Sequence, residues 1–386
     1  LARFLTPTTQ IERGWMNTHA LNLIDVEKRS LRHTVLLDDT NLGAANPWGV
    51  LCTPDGKYIC VAHSATHEIS LIDQAALLAK LSKIPRRDES KLDDNAYEAL
   101  PENPANDLSF LNDIRQRVRL KGNGPRGVAM AGNKVYVAEY FSGSLGVLTL
   151  GASGPEVQSL PLGSEPAMTL VRKGEMLFND ASMMCFQQWQ SCSTCHPDGR
   201  MDAVNWDLLN DGIGNPKSTK SLVLSAQRSP VMSRGVRPST AVAVRTGMKF
   251  IQFITPTEDH AAAVYEYIKS LTPVPSPYLI NGRLSERARR GKEVFERAAC
   301  NGCHSGPYYS DTKLYDVGTS DGADQGAPFV TPTLCEVWRT APYLHDGRAA
   351  TMEEMFTKYN RGDRHGHTSN LSPQELKDLV EYVHSL

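Results

Sequence analysis

Apolar and polar residues alternate with a period of two over most of residues 1 to about 165, the pattern of half-buried strands. Two stretches, NPWGVLCTPDGKYICVAHSATHEISLID (46–73) and GPRGVAMAGNKVYVAEYFSGSLGVLTL (124–150), are copies of one unit. Pro47-Trp48-Gly49-Val50 matches Pro125-Arg126-Gly127-Val128, and YICVAHSATHEISLI matches VYVAEYFSGSLGVLT. Each copy predicts strand, turn, strand, turn, strand. A third, partial copy ends in ALNLIDVEKRSLRHTVLL (20–37), and the charged segment 83–120 predicts a partly helical surface insertion with a solvated face. From about residue 166 the pattern changes to helices and a second duplication begins. RKGEMLFNDA (172–181) parallels RRGKEVFERA (289–298), and VYEYIKSL (264–271) parallels LVEYVHSL (379–386). The prolines of TPVPSPYLINGRLS (272–285) forbid a continuous helix and mark a linker. Three segments follow: 1–165, 166–280 and 281–386. The second closing helix ends the chain, which reads as a complete C-terminus; Leu1, with neither Met nor a signal peptide, reads as the start of a mature or trimmed product.

Composition narrows the partners. With 386 residues, 40% of them apolar, the chain is long enough for two or three cores. A formal charge of -2 gives no electrostatic case for nucleic acid or an anionic membrane surface. No apolar run approaches the roughly 20 residues of a spanning helix.

The cysteines change the picture most. Four of the eight belong to two Cys-x-x-Cys-His elements, Cys192/Cys195/His196 and Cys300/Cys303/His304. A zinc site would need both elements to converge on one ion. A redox dithiol needs no adjacent histidine and gains nothing from duplication. Covalent haem accounts for every residue, since two thiols bind the porphyrin and the neighbouring imidazole becomes the axial ligand of iron. Two c-type haems are expected, and with them a periplasmic or extracellular location in a bacterium. Cys52, Cys60, Cys185 and Cys335 read as small buried hydrophobes rather than disulfides, the turn between Cys52 and Cys60 not placing them opposite each other.

The repeats of the N-terminal segment mean propeller blades and resemble the bacterial surface-type propellers of the YVTN kind, although only three or so blades fit where a closed propeller needs about four. The expected fold is therefore mixed: an all-β partial propeller followed by two mainly α cytochrome c-like lobes. CSTCHPDGRMDAVNWDLLNDGIGNPKSTKSL and TPTLCEVWRTAPYLHDGRAATMEEMFTKYN resemble the dihaem bacterial cytochrome c peroxidases and their relative MauG, over about 166–386. The resemblance implies a first haem that meets hydrogen peroxide and a second that stores or relays an oxidising equivalent, with calcium between them.

Carried over residue by residue, it puts Gln252 near the acid–base glutamate of the family; Asp211, Glu258, Asp259 and His260 are other candidates for that proton transfer. Counting from His345 lands on Tyr359 as the far ligand of the second iron, where peroxidases use a methionine and MauG a tyrosine; Met355, one turn earlier, is the rival. A phenolate stabilises oxidised iron and a thioether reduced iron, so the ligand decides what the enzyme can hold. His345 matches a non-axial histidine, structural or proton-relaying. Ser218, Thr340 and Pro342 match the calcium site, with Ser218 in place of an asparagine and Asn215 near enough to substitute. The tryptophan that the family keeps between its haems falls near Ser233, with Trp338 and Trp206 as stand-ins or plain core aromatics. The implied electron source is a small redox protein (cytochrome or cupredoxin) or, as in MauG, an aromatic residue of a protein substrate; the non-enzymatic alternative is a dihaem electron carrier.

Overall fold

The computed structural model describes residues 17–84, 103–164, 167–208 and 214–386. Contacts divide the chain into two units. One runs to Thr194 and takes in Gln252–Thr255; the other holds Cys195–Ile251 and Pro256–Leu386. The division falls inside the first Cys-x-x-Cys-His element.

In the first unit, β1 (Ala20–Asp25) and β2 (Ser30–Leu36) form an antiparallel pair. β3 (Pro47–Cys52), β4 (Tyr58–His63), β5 (Glu68–Asp73) and β6 (Arg115–Arg119) form a four-stranded antiparallel meander in chain order. β7 (Pro125–Ala131), β8 (Lys134–Glu139), β9 (Ser144–Gly151) and β10 (Gly154–Pro161) form a second. The sequence copies are structural copies down to an irregularity. In each, the register slips between the proline and the valine three residues on, so that Val50 faces Val61 and Val128 faces Val137.

Period two explains the packing. Ile59, Val61 and Ile72 join Val35, Leu37 and Leu77 in one apolar cluster, while Cys60, Ala62, Ile69 and Leu71 join Val135, Val137 and Leu148 in another. Both faces of the middle sheet are therefore covered, and β4 and β5 are buried at nearly every position.

The expected insertion at 83–120 is corrected at its end. Residues 85–102 lie outside the described residues, but Arg115–Arg119 is the fourth strand of the middle sheet. Its charges are not a solvated face, because Arg115 pairs with Asp39, and Arg117 with Asp39 and Glu68, behind mostly buried side chains. Helix α1 (Gln74–Ser82), capped by Asp73, precedes this segment. Helices α2 (Leu170–Phe178) and α3 (Ala181–Met184) complete the unit. Asp180, the N-cap of α3, pairs with His67 at 3.1 Å, and His67 Nδ1 accepts from Gly124 N–H at 3.0 Å.

The second unit is mainly helical, with α4 (Thr240–Phe250), α5 (Glu258–Ser270), α6 (Glu286–Arg297), α7 (Met352–Thr357) and α8 (Pro373–His384). Ser285 and Ser372 cap α6 and α8, the latter through a complete capping box with Glu375. The two helices cross so closely at Gly291 that a Cβ there would collide with the Asp378 carbonyl. Phe295 meets Tyr382 edge to face at 5.3 Å within a core that includes Val294, Leu379, Met352, Met355 and Phe356. The fold is thus mixed, a sheet-rich N-terminal region followed by a helical cytochrome c-like one.

Among the described residues no helix is long and apolar enough to cross a membrane. Cys52, Cys60, Cys185 and Cys335 form no disulfide among the described residues. Leu51 rather than Cys52 faces Cys60 across the hairpin. Cys60 and Cys185 are buried as expected, but Cys52 is exposed because its side chain points to the outer face of an edge strand.

Candidate functional site

The two Cys-x-x-Cys-His elements fold alike around their histidines. His196 Nδ1 donates to the Arg200 carbonyl at 3.0 Å, and His304 Nδ1 donates to the Tyr309 carbonyl at 3.0 Å. Each bond fixes the ring and leaves Nε2 as the lone-pair donor, the arrangement of a metal-ligating imidazole. Burial lowers the pKa of both rings and keeps them neutral. Burial also pushes the Cys192 thiol up to about 12 and the Cys300 thiol up to about 11. Such thiols stay protonated at neutral pH, which speaks against redox-active or metal-binding thiolates. The residues fit covalently bound haem.

Around the first element, the first unit supplies a clamp that the sequence did not announce. Asn46 Nδ2 donates to the hydroxyls of Ser191 and Ser193, both at 2.8 Å, and its Oδ1 accepts from Thr194 Oγ1 at 2.6 Å. Asn46 directly precedes β3, where the second repeat has Gly124 at the equivalent place. Gln252 is buried beside Cys192. With its amide turned to satisfy both ends, it accepts from Cys192 N–H at 3.3 Å and donates to the Met184 carbonyl at 3.2 Å. Its own carbonyl accepts from Phe186 N–H at 2.9 Å.

Within the second unit, Arg200 ties the first element to the C-terminal lobe. Its guanidinium makes a two-pronged pair with the buried Glu336, at 2.9 and 2.7 Å, while its carbonyl orients His196. Around the second element, the loop between α7 and α8 returns onto the haem motif. His367 N–H donates to the Ala298 carbonyl at 2.9 Å, and a Cβ on Gly366 would touch Cys300 Sγ. Asn360 holds this loop from inside, donating to the Gly366 carbonyl and Thr368 Oγ1 and accepting from His365 N–H, each at 2.8 Å. Asp363 accepts from Thr368 and Ser369 N–H. So held, the His365 ring lies 6.2 Å from the His304 ring, tilted by 36°. Its Nδ1 is buried without a hydrogen-bond partner, and burial, with His304 beside it, pulls its pKa to about 4.

Met355 belongs to the helical core, and Tyr359 packs on that core with the Lys358 ammonium 5.0 Å from its ring centroid. His345 is buried, stacks on Phe329 at 4.2 Å and lies 3.6 Å from Asp324. Ser218 Oγ donates to Asn205 Oδ1 at 2.7 Å, and Thr340 Oγ1 to the Val337 carbonyl. The nearby carboxylate of Asp324 is taken by Lys217 at 2.7 Å, Arg234 at 2.8 Å and the Asn215 amide at 3.1 Å. Among the described residues no group of three His, Cys, Asp or Glu is placed to hold a metal ion. Glu258 forms an exposed pair with Arg245, and Asp259 and His260 lie in the first turn of α5. Asp211 lies outside the described residues. Ser233 is buried, Trp206 Nε1 donates to Asp202 at 2.8 Å, and Trp338 Nε1 is buried without a partner.

The cytochrome c family profile matches residues 288–386. Hydrazine synthase subunit gamma of Kuenenia stuttgartiensis is 29% identical over 289 residues, covering 60% of this chain and 82% of that protein. The cytochrome-c peroxidase IdrP1 of Denitromonas iodatirespirans is 32% identical over 153 residues, covering 27% of this chain and 41% of the peroxidase. A solved structure of Kuenenia stuttgartiensis hydrazine synthase superposes with a TM-score of 0.53 at 28% identity, over 58% of this chain and 89% of that one. Over its cytochrome c-like part, this haem c oxidoreductase is similar to the bacterial cytochrome c peroxidases and MauG.

Proposed function

We propose that the chain is a dihaem enzyme of the bacterial periplasm or exterior that uses hydrogen peroxide as oxidant. Cys192, Cys195 and His196 would hold the haem that meets peroxide in lobe 1 (166–280), and Cys300, Cys303 and His304 would hold the haem that relays or stores oxidising equivalents in lobe 2 (281–386). The observation that carries this reading is the contrast between two loops. After α7 the chain returns a buried imidazole toward the histidine of its haem motif. After α4 the corresponding loop returns Gln252, whose amide is spent on the backbone of Met184 and Cys192. In this reading a protein ligand would close the second site, and the first would stay open to a small molecule.

A bound haem supplies an iron that exchanges single electrons and, where one coordination position is open, takes up a small oxidant. The chain's own groups orient and shield it. The Arg200 and Tyr309 carbonyls fix the two motif imidazoles by accepting the Nδ1 proton. Gln252 cannot exchange a proton, so in this reading it positions the haem loop instead of serving as acid or base. His345, a neutral imidazole beside Asp324, takes the place of the family's non-axial histidine. Peroxide consumes two electrons and two protons to give two waters, and the electrons come from a small redox protein, cytochrome or cupredoxin.

A calcium ion at Ser218, Thr340 and Pro342 belongs to the same proposal. The neutral oxygens of Ser218 and Asn205 speak for it, and the commitment of Asp324 to Lys217 and Arg234 speaks against it. The three stacked sheets are read as blades of an incomplete propeller. Stopped-flow mixing of haem-loaded protein with peroxide and a reduced c-type cytochrome tests the function. Oxidation of two cytochromes per peroxide is expected; a haem-loaded protein whose spectrum peroxide leaves untouched would refute it.

A further inference from the structure

We propose that His365 is the sixth ligand of the second haem iron, opposite His304, in place of Tyr359 or Met355. The inference rests on haem attachment at Cys300 and Cys303, which haem content reports separately. Two imidazole nitrogens that share one metal, each about 2 Å from it, put their ring centroids on the order of 6 Å apart. The His304 and His365 centroids are 6.2 Å apart. His304 has already given its Nδ1 proton to the Tyr309 carbonyl, so its other nitrogen is the one available. His365 has a buried Nδ1 with no hydrogen-bond partner, and iron bound at this nitrogen would supply the missing partner.

The backbone is arranged for this purpose. Asn360 makes three hydrogen bonds across the turn that carries His365, and Asp363 adds two more from N–H groups. Gly366 is left-handed, with φ of 82°, and lets the chain pass against Cys300 Sγ and the Ala298 carbonyl where a Cβ would crowd them. Tyr359 stands at the start of the same loop, against the helical core and Lys358. Met355 is a core residue. Neutral bis-imidazole ligation favours rapid electron transfer with little structural change, and it lacks the anionic oxygen that a phenolate would lend to an oxidised iron. The second haem is therefore a relay.

The test uses full-length, haem-loaded protein and reads spectra, not turnover. Electron spin resonance of the wild type should show one low-spin ferric centre of bis-imidazole type. In His365→Ala the haem-to-chain ratio should be kept while that low-spin signal is lost to a high-spin one, and added imidazole should restore it. His365→Met should introduce a sulfur-to-iron charge-transfer band in the near infrared and raise the potential of that haem. Tyr359→Phe should leave the signal unchanged. A His365→Ala or His365→Met protein with the wild-type spectrum, or loss of the low-spin signal in Tyr359→Phe, would overturn the assignment. A wild type with only one haem per chain would instead remove the reading on which it rests.

Discussion

Gln252 and Asp324 show how single buried groups are committed. Gln252 spends both ends of its amide on main-chain partners next to Cys192. Gln252→Ala should therefore cost about 1–3 kcal/mol by orphaning the Cys192 N–H and the Met184 carbonyl, measured by denaturant unfolding of the haem-loaded protein. Asp324 should respond to pH in one direction. Burial alone would raise its pKa, but Lys217, Asn215 and Arg234 outweigh it and hold the carboxyl at about 2. Its folded pKa is depressed, so its contribution is present above the unfolded value of about 3.9 and is lost as pH falls toward 2. Asp324→Asn should lower stability at pH 7 and make no difference near pH 2, as thermal melts across that range would show; an equal loss at both would refute the pairing. The haem cysteines and His196 and His304 are legible from spacing because covalent attachment demands it. His365 is not, because a ligand from a loop has no periodicity and a count from His345 arrives at Tyr359 first.

At the scale of elements, hydrophobic alternation revealed three strands of each repeat but missed the fourth. RQRVR reads as a charge run, yet Arg115 and Arg117 turn inward onto Asp39 and Glu68 while Val118 enters the core. Periodicity cannot register a buried ion pair, since the same residue types serve for solvent. Asn46 was hidden for a related reason: in the second repeat its place is taken by glycine, so the repeat itself carries no sign of the clamp on Ser191, Ser193 and Thr194. Asn46→Ala should leave the sheets intact by circular dichroism but loosen the first haem loop, seen as faster amide exchange across 191–194. In the helical region, Phe295→Ala should cost about 3–5 kcal/mol, because Tyr382 and its neighbours cannot close the space between α6 and α8. Unfolding midpoints of the variant and the parent measure that loss.

At the scale of the whole molecule, two Cys-x-x-Cys-His elements alike in sequence would, in the proposed reading, differ on the far side of their irons. Covalent attachment predicts that both haems survive denaturation and organic extraction. Chelation of bound calcium, verified by metal analysis, should alter the spectra and slow the reaction with peroxide if Ser218, Thr340 and Pro342 hold it; unchanged spectra and rate after removal would discard that site. In the proposed reading one iron would be closed by two imidazoles and the other would stay open. The most direct measurement is electron spin resonance of the resting, fully oxidised protein before and after one equivalent of hydrogen peroxide, with haem counted on the same sample. Two haems per chain, one high-spin and one low-spin signal, and selective loss of the high-spin signal on adding peroxide are expected. Two low-spin signals that peroxide leaves unchanged would contradict it.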